Sequence, residues 1–228
     1  MLVNSPDKVL IKTAKLGKSF RNGGRETGVL FDIDLEIKKG EYVAVMGPSG
    51  CGKSTLMHIL GLMLTPSSGK LYLDGCDTSG LNDAGRARLR REKIGFVFQR
   101  FNLLATISAY QNIAVAERLR GKPLDGQIQR ALAAVDMTDK ALRKPNQLSM
   151  GEQQRIAIAR AITHQPEMVM ADEPTGNLDS ANAERILELF DAIHRRHNIT
   201  MVMITHSPTA AQRAERIIYL TDGRIRTP

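Results

Sequence analysis

The chain has 228 residues, of which 42% are hydrophobic and 25% charged, with a formal net charge of +8; that length suits one well-buried α/β domain and does not comfortably hold two. Its longest apolar runs, "YVAVM" from Tyr42 and "ILGLML" from Ile59, fall far short of the roughly 20 apolar residues a membrane-spanning helix needs. The positive charge permits contact with nucleic acid or an anionic membrane without requiring either, and two cysteines, Cys51 in a glycine-rich loop and Cys76 in a turn, speak against a disulfide-built fold.

The N-terminal stretch "MLVNSPDKVLIK" lacks the apolar core and small-residue cleavage site of a signal peptide, so the chain is expected to stay in the cytosol. The run "EYVAVM" predicts a buried strand, and "GPSGCGKST", residues 47–55, follows it and opens the predicted helix "KSTLMHILG". Gly47, Gly52, Lys53 and Ser54 satisfy the phosphate-loop pattern in the strand-to-helix context that gives it meaning. Glycines let successive backbone N–H groups curl around a polyphosphate, Lys53 neutralises its charge, and the Ser54 hydroxyl suits Mg²⁺. Pro48, Ser49, Gly50, Cys51 and Thr55 complete the loop as candidate nucleotide contacts.

Further along, "RARLRREK" from Arg86 reads as a solvated helix face. The run "IGFVFQ" from Ile94 predicts a buried strand closed by Gln99. Between residues 100 and 145 the segments "SAYQNIAVAERLRG" and "DGQIQRALAAVDM" both read as helices with no buried strand between them, the mark of an inserted helical subdomain.

The stretch "LSMGEQQR" from Leu148 has two readings. Ser149 with Glu152 three residues later forms a capping box that opens the helix "GEQQRIAIARAITH", and alone the spacing favours that structural role. A Ser149 hydroxyl beside a Gly151 N–H at a helix start is also an anion site.

Next, "EMVMAD" predicts a strand ending on Asp172, placed to hold magnesium through its water shell, and Glu173 follows it, placed to take a proton from an attacking water. The helix "SANAERILELFDAIHRR" carries Ile186, Phe190 and Ile193 on one stripe. The strand "ITMVMIT" leads to His206, and "RIIYLT" is the last buried strand, after which no regulatory domain is expected. Gly47, Gln99, Asp172 and His206 thus stand at four predicted strand ends, where parallel sheets form their ligand crevice. His194 and His197 lack the Cys or carboxylate neighbours of a metal site and read as surface histidines.

The motif order resembles that of the ATP-binding cassette (ABC) ATPases over essentially the whole chain: phosphate loop, Gln99, signature "LSMGEQQR", Asp172–Glu173, "NLDS" with Asp179, and His206. The resemblance implies an α/β fold with a P-loop NTPase (RecA-like) parallel-sheet core and an N-terminal antiparallel β region. It implies one domain, with the core at about residues 1–99 and 159–228 and the helical subdomain at about 100–158. ATP and Mg²⁺ would be the cofactors. Glu173, His206, Lys53 and Gln99 would be catalytic, and Ser54, Gln99 and Asp172 would serve the metal. Phe20 would stack on adenine, while Ser149, Gly151, Glu152 and Asp179 would act on nucleotide.

In that family the signature of one subunit caps the γ-phosphate held by another. The implied partners are therefore a second copy in a head-to-tail, ATP-dependent dimer and an integral membrane permease contacted through the helical subdomain. The implied location is cytoplasmic, peripheral on the inner face of the membrane. Met150 and Glu152 replace the usual Gly and Gln of the signature, and Glu152 is expected to weaken phosphate affinity by repulsion.

The segments "FQRFNLLATISAYQNI" and "ADEPTGNLDS" are similar to the branch of lipoprotein-release, macrolide-export and cell-division ATPases. A soluble ABC ATPase acting on nucleic acid or in cofactor assembly is the alternative that the charge suggests. The short spacing from Gln99 to Ser149 leaves no room for the coiled coils or zinc modules of repair-type members, so no nucleic-acid partner is expected.

Overall fold

The computed structural model describes residues 8–121 and 126–226. The first seven residues of the N-terminal stretch, Asp125 at the head of the second inserted helix, and Pro228 lie outside the described residues.

In chain order the elements begin with β1 (Val9–Asn22), β2 (Arg25–Lys38), β3 (Tyr42–Met46), α1 (Lys53–Leu60), β4 (Ser68–Leu73), β5 (Cys76–Asp77), α2 (Asp83–Lys93) and β6 (Ile94–Val97). They continue with α3 (Ala109–Arg118), α4 (Gln127–Ala134), α5 (Met150–Ile162), β7 (Met168–Asp172), α6 (Ser180–His197), β8 (Thr200–Ile204), α7 (Pro208–Ala211), β9 (Arg216–Thr221) and β10 (Arg224–Arg226). Contacts divide the chain into two compact units, Met1–Arg90 with Thr200–Pro228, and Arg91–Ile199.

The first unit contains the expected N-terminal antiparallel region, a sheet in the order β2-β1-β4-β5. Asn22 pairs with Arg25, so Gly23 and Gly24 alone make the turn, at φ 56° and 82°. Two successive left-handed residues match the twist of a two-residue hairpin, and glycine adopts them without a Cβ penalty. Along β2, Ile33, Leu35 and Ile37 are buried while Asp34, Glu36 and Lys38 are exposed. That period of two gives one apolar and one wet face.

In the same unit β3 runs parallel to β8 on one side and to β9 on the other, and β10 closes antiparallel on β9. Strand β8 is buried at every position, as a strand covered on both faces must be. The buried Tyr42 keeps its hydroxyl within 3.8 Å of the Met203 sulfur.

The second unit holds the parallel pair β6–β7 and the helices α3, α4, α5 and α6. Lys93 Nζ meets Glu167 Oε1 at 2.7 Å and Glu167 N donates to Lys93 O at 3.0 Å, which sets the two strand starts side by side. Helix α5 lies at the centre, packed on β6, α3, α4 and α6, with Ile156, Ala157, Ile158 and Ala159 fully buried. Ile186, Phe190 and Ile193 of α6 form the expected buried stripe. Among the described residues no strand interrupts 100–145, and no helix is long and apolar enough to cross a membrane.

Candidate functional site

In the first unit the phosphate loop leaves β3 at Gly47 and ends on Gly52, the N-cap of α1. At Gly47, with φ 155°, a Cβ would stand 2.0 Å from the Leu220 carbonyl oxygen, so only glycine lets the loop pass β9. No side chain caps α1. The first-turn N–H groups of a helix have no intrahelical acceptor and carry the positive end of its dipole, an arrangement suited to an anion.

Lys53 is buried and donates from Nζ to the Gly47 and Pro48 carbonyls, both at 2.8 Å, so its ammonium stands on the loop's own backbone. Cys51 is buried beside it, with the sulfur 3.9 Å from Lys53 Nζ. Pro48, Ser49, Gly50 and Ser54 are exposed, and Thr55 is half-buried.

His206 is exposed in the turn between β8 and α7. Strand β8 ends at Ile204, so His206 does not close the strand but lies beyond it. The next residue fixes that turn, because Ser207 N donates to Thr205 Oγ1 at 3.0 Å and the Ser207 hydroxyl caps α7. Phe20 sits on β1 opposite Thr27, 42% exposed, with Lys18 Nζ 5.0 Å from its ring centre. The ring is therefore partly open to solvent rather than buried in the sheet's core.

In the second unit β6 stops at Val97 and Gln99 lies in the turn beyond it, so Gln99 does not close the strand. The Gln99 carbonyl accepts from Asn177 Nδ2 at 2.8 Å, and a Cβ on Gly176 would lie 3.0 Å from Gln99 Nε2. Gln99 thus sits against the turn that follows Asp172 and Glu173.

The loop after Gln99 is pinned from two sides. Arg160 of α5 donates to the Phe101 and Asn102 carbonyls, at 2.8 and 2.6 Å. Buried Asn112 accepts from Leu104 N at 2.7 Å and donates to the carbonyls of Leu104, Ile107 and Ser108. Burial lowers the affinity of the Arg160 guanidinium for its proton.

Asp172 ends β7, and Glu173 follows in the left-handed region at φ 44°, an uncommon setting for a non-glycine residue that marks a constrained turn. Gly176 N closes this turn on Glu173 O at 3.0 Å. Asp179 is the N-cap of α6 and accepts from Asn182 N at 2.9 Å and Asn182 Nδ2 at 2.6 Å. The Asn182 N–H is the main cause that holds the Asp179 carboxyl below its ordinary value.

The capping reading of "LSMGEQQR" is realised. Ser149 N donates to Glu152 Oε2 at 2.8 Å and Glu152 N donates to Ser149 Oγ at 3.3 Å, a reciprocal box. Glu152 also accepts from Lys140 Nζ at 2.5 Å, and that bond, ahead of the one from Ser149, lowers its carboxyl pKa. The charge expected to repel phosphate is therefore paired within the unit. Gly151 faces α6, Gln154 is buried and donates to the Pro174 carbonyl at 2.7 Å, and Met150 is exposed.

Sequence reading passed over Lys140, Asn182, Gln154 and Arg160. Asn182 had a local signal in its capping distance from Asp179; the others act across elements and had none. Helix α2, with its run of basic residues, has no buried position. His194 bonds the Ile199 carbonyl at 2.9 Å, and no His, Cys, Asp or Glu cluster suited to a metal occurs among the described residues.

The model of the ABC transporter family matches residues 30–176. Over 219 residues the chain is 45% identical to the macrolide export ATP-binding/permease protein MacB of Brucella abortus, covering 95% of this chain but 34% of that protein, so it spans only a minor part of that relative's length. It is 41% identical over 220 residues to the lipoprotein-releasing system ATP-binding protein LolD of Colwellia psychrerythraea, covering 95% of this chain and 85% of that one. The dimeric, post-hydrolysis structure of the cassette MJ0796 of Methanocaldococcus jannaschii, bound to ADP and Pi, superposes with a TM-score of 0.88 at 37% identity, covering 96% of this chain and 97% of the other. With a family match across the phosphate loop, the signature and the Asp172–Glu173 strand end, and relatives of this identity over nearly its whole length, the chain belongs to the ABC transporter family as an ATP-binding cassette ATPase.

Proposed function

We propose that the chain forms one cassette domain, two copies of which close head to tail on two Mg-ATP and drive a membrane permease of the lipoprotein-release or macrolide-export type. The observation that carries this reading is that one chain has two helix starts whose chemistry suits an anion. One is the uncapped start of α1 behind the phosphate loop, and the other is Ser149 at the head of α5. One nucleotide needs one cradle, so the second serves a neighbour's.

The residues fit Mg-ATP. The Ser54 hydroxyl on the first turn of α1 and the Asp172 carboxylate ending β7 are hard oxygen donors of the kind Mg²⁺ selects, with the Gln99 carboxamide as a third. Bound Mg²⁺ would neutralise charge on the β- and γ-phosphates. Lys53 would turn from its loop carbonyls toward the phosphates, Phe20 would stack on adenine, and Asp179 and His206 would order the water side of the γ-phosphate. Glu173 would take the proton of the attacking water, a contribution of roughly 10²- to 10⁴-fold. The helical subdomain would meet the permease on the inner face of the membrane, with Gln99 relaying that contact.

The test is to tag the chain in its native cells, extract membranes in mild detergent and identify what copurifies. Recovery of a polytopic membrane protein with a large extracytoplasmic domain is the expected result. A soluble complex holding nucleic acid, with no permease, would overturn the transport reading.

A further inference from the structure

Glu152 carries a full negative charge into the turn that, under the reading above, must receive a polyphosphate. Both of its oxygens are engaged, Oε2 by the Ser149 N–H and Oε1 by Lys140 Nζ. Lys140 ends a short 3-10 turn, Thr138–Lys140, in the chain between α4 and α5. Neither partner is fully exposed, with side-chain accessibilities of 29% and 25%, so water screens the pair less than an open surface pair. Because Ser149 Oγ already accepts from Glu152 N, its own proton points elsewhere and is available to an oxyanion.

We infer that Lys140 is the counter-charge of this signature: it holds Glu152 in the capping box, cancels its repulsion of the incoming γ-phosphate, and makes a Glu-bearing signature competent to close on ATP held by a second copy. The inference rests on the head-to-tail reading. Lys140 is a positioning residue, since it acts through Glu152 and Ser149.

The experiment uses the full chain carrying Glu173→Gln, so that ATP traps the closed state, and reads by sedimentation the ATP concentration that half-converts monomer to dimer. Lys140→Met should raise that concentration at least about tenfold, Lys140→Arg should hold it within about twofold of the parent, and Lys140→Met with Glu152→Gln should restore it. Glu152→Gln alone leaves Lys140 as an unpaired positive charge and should lower it and steepen its salt dependence, as expected when a net cation meets a polyanion.

A Lys140→Met protein that dimerises like its parent overturns the inference, and so does a defect that Glu152→Gln fails to repair, which would mean lost scaffolding rather than uncompensated charge. A parallel loss of nucleotide binding to the isolated monomer places the effect on folding and also overturns it. If the parent shows no ATP-driven dimer at all, the head-to-tail reading itself fails and takes this inference with it.

Discussion

Gly151 and Asn182 stand so close that a methyl group on Gly151 would lie 3.0 Å from the Asn182 side-chain oxygen. Asn182 is in turn the residue that Asp179 holds through two hydrogen bonds. The helix start at the signature and the helix cap at Asp179 therefore share one contact.

Replacing Gly151 by Ala should separate activity from stability. Alanine favours a helix over glycine by up to about 1 kcal/mol, which offsets the crowding, so the melting temperature should move by only a few degrees. Displacing Asn182 should loosen Asp179, and turnover should fall at least about tenfold. Calorimetry beside steady-state ATPase rates checks both; an unchanged rate would mean that the contact does not bear on turnover.

Gly47→Ala is expected to behave differently. Its Cβ would meet backbone, 2.0 Å from the Leu220 oxygen, at a φ that disfavours any side chain. Strain of this kind costs about 1–3 kcal/mol from the dihedral alone, and the clash adds to it. Denaturant titration should show the loss, and nucleotide binding should disappear with it.

Glu173→Gln keeps the size and the left-handed backbone site of Glu173 but removes the carboxylate proposed as the base. ATP should bind with ordinary affinity while hydrolysis drops by roughly 10²-fold or more, and the dimer should accumulate. Near-normal hydrolysis by this variant would remove Glu173 from the chemistry.

The pairing of Glu152 predicts a pH signature. Lys140 first, and then the Ser149 N–H, lower its carboxyl pKa below the ordinary 4.5. A folded-state pKa below the unfolded one means that folding favours the ionised form. The contribution is thus complete above the unfolded value and vanishes as pH falls through the lower folded one. The stability gap between the parent and Glu152→Gln should be full near pH 7 and close in acid, a comparison that denaturation curves across this range can make.

A second ion pair is more deeply set. Glu117 is fully buried on α3 and binds Arg120, whose side chain is 10% exposed and which also donates to the Arg91 carbonyl at 2.7 Å. Removing one partner of such a pair leaves an uncompensated charge and typically costs about 3–5 kcal/mol. Glu117→Leu should lose stability on that scale, whereas the double variant Glu117→Leu, Arg120→Met should recover much of it. Equal losses in both would assign the cost to packing.

What the sequence by itself determined are the features that close within a few residues. The Ser149–Glu152 box and the α6 stripe follow from helix geometry, in which residues three and four apart share a face, and the phosphate loop follows from glycines between a strand and a helix. The antiparallel region was legible in principle, through the alternation in "FDIDLEIK" and the Gly23–Gly24 turn, but period-two patterns are weaker than the continuous runs of β3 and β8.

The tertiary structure alone decided the rest. That Gly47 is forced by Leu220, that Gly151 meets Asn182, and that Lys140 neutralises Glu152 are contacts between different elements of the fold. No local propensity encodes them, because each depends on where packing places two backbones rather than on what either segment does alone. The strand ends show both sources: the apolar runs locate β6 and β8 and the Ser207 N–H to Thr205 hydroxyl bond turns the chain locally after β8, while the hydrogen bond from Asn177 to the Gln99 carbonyl, 78 residues apart, fixes the turn after β6.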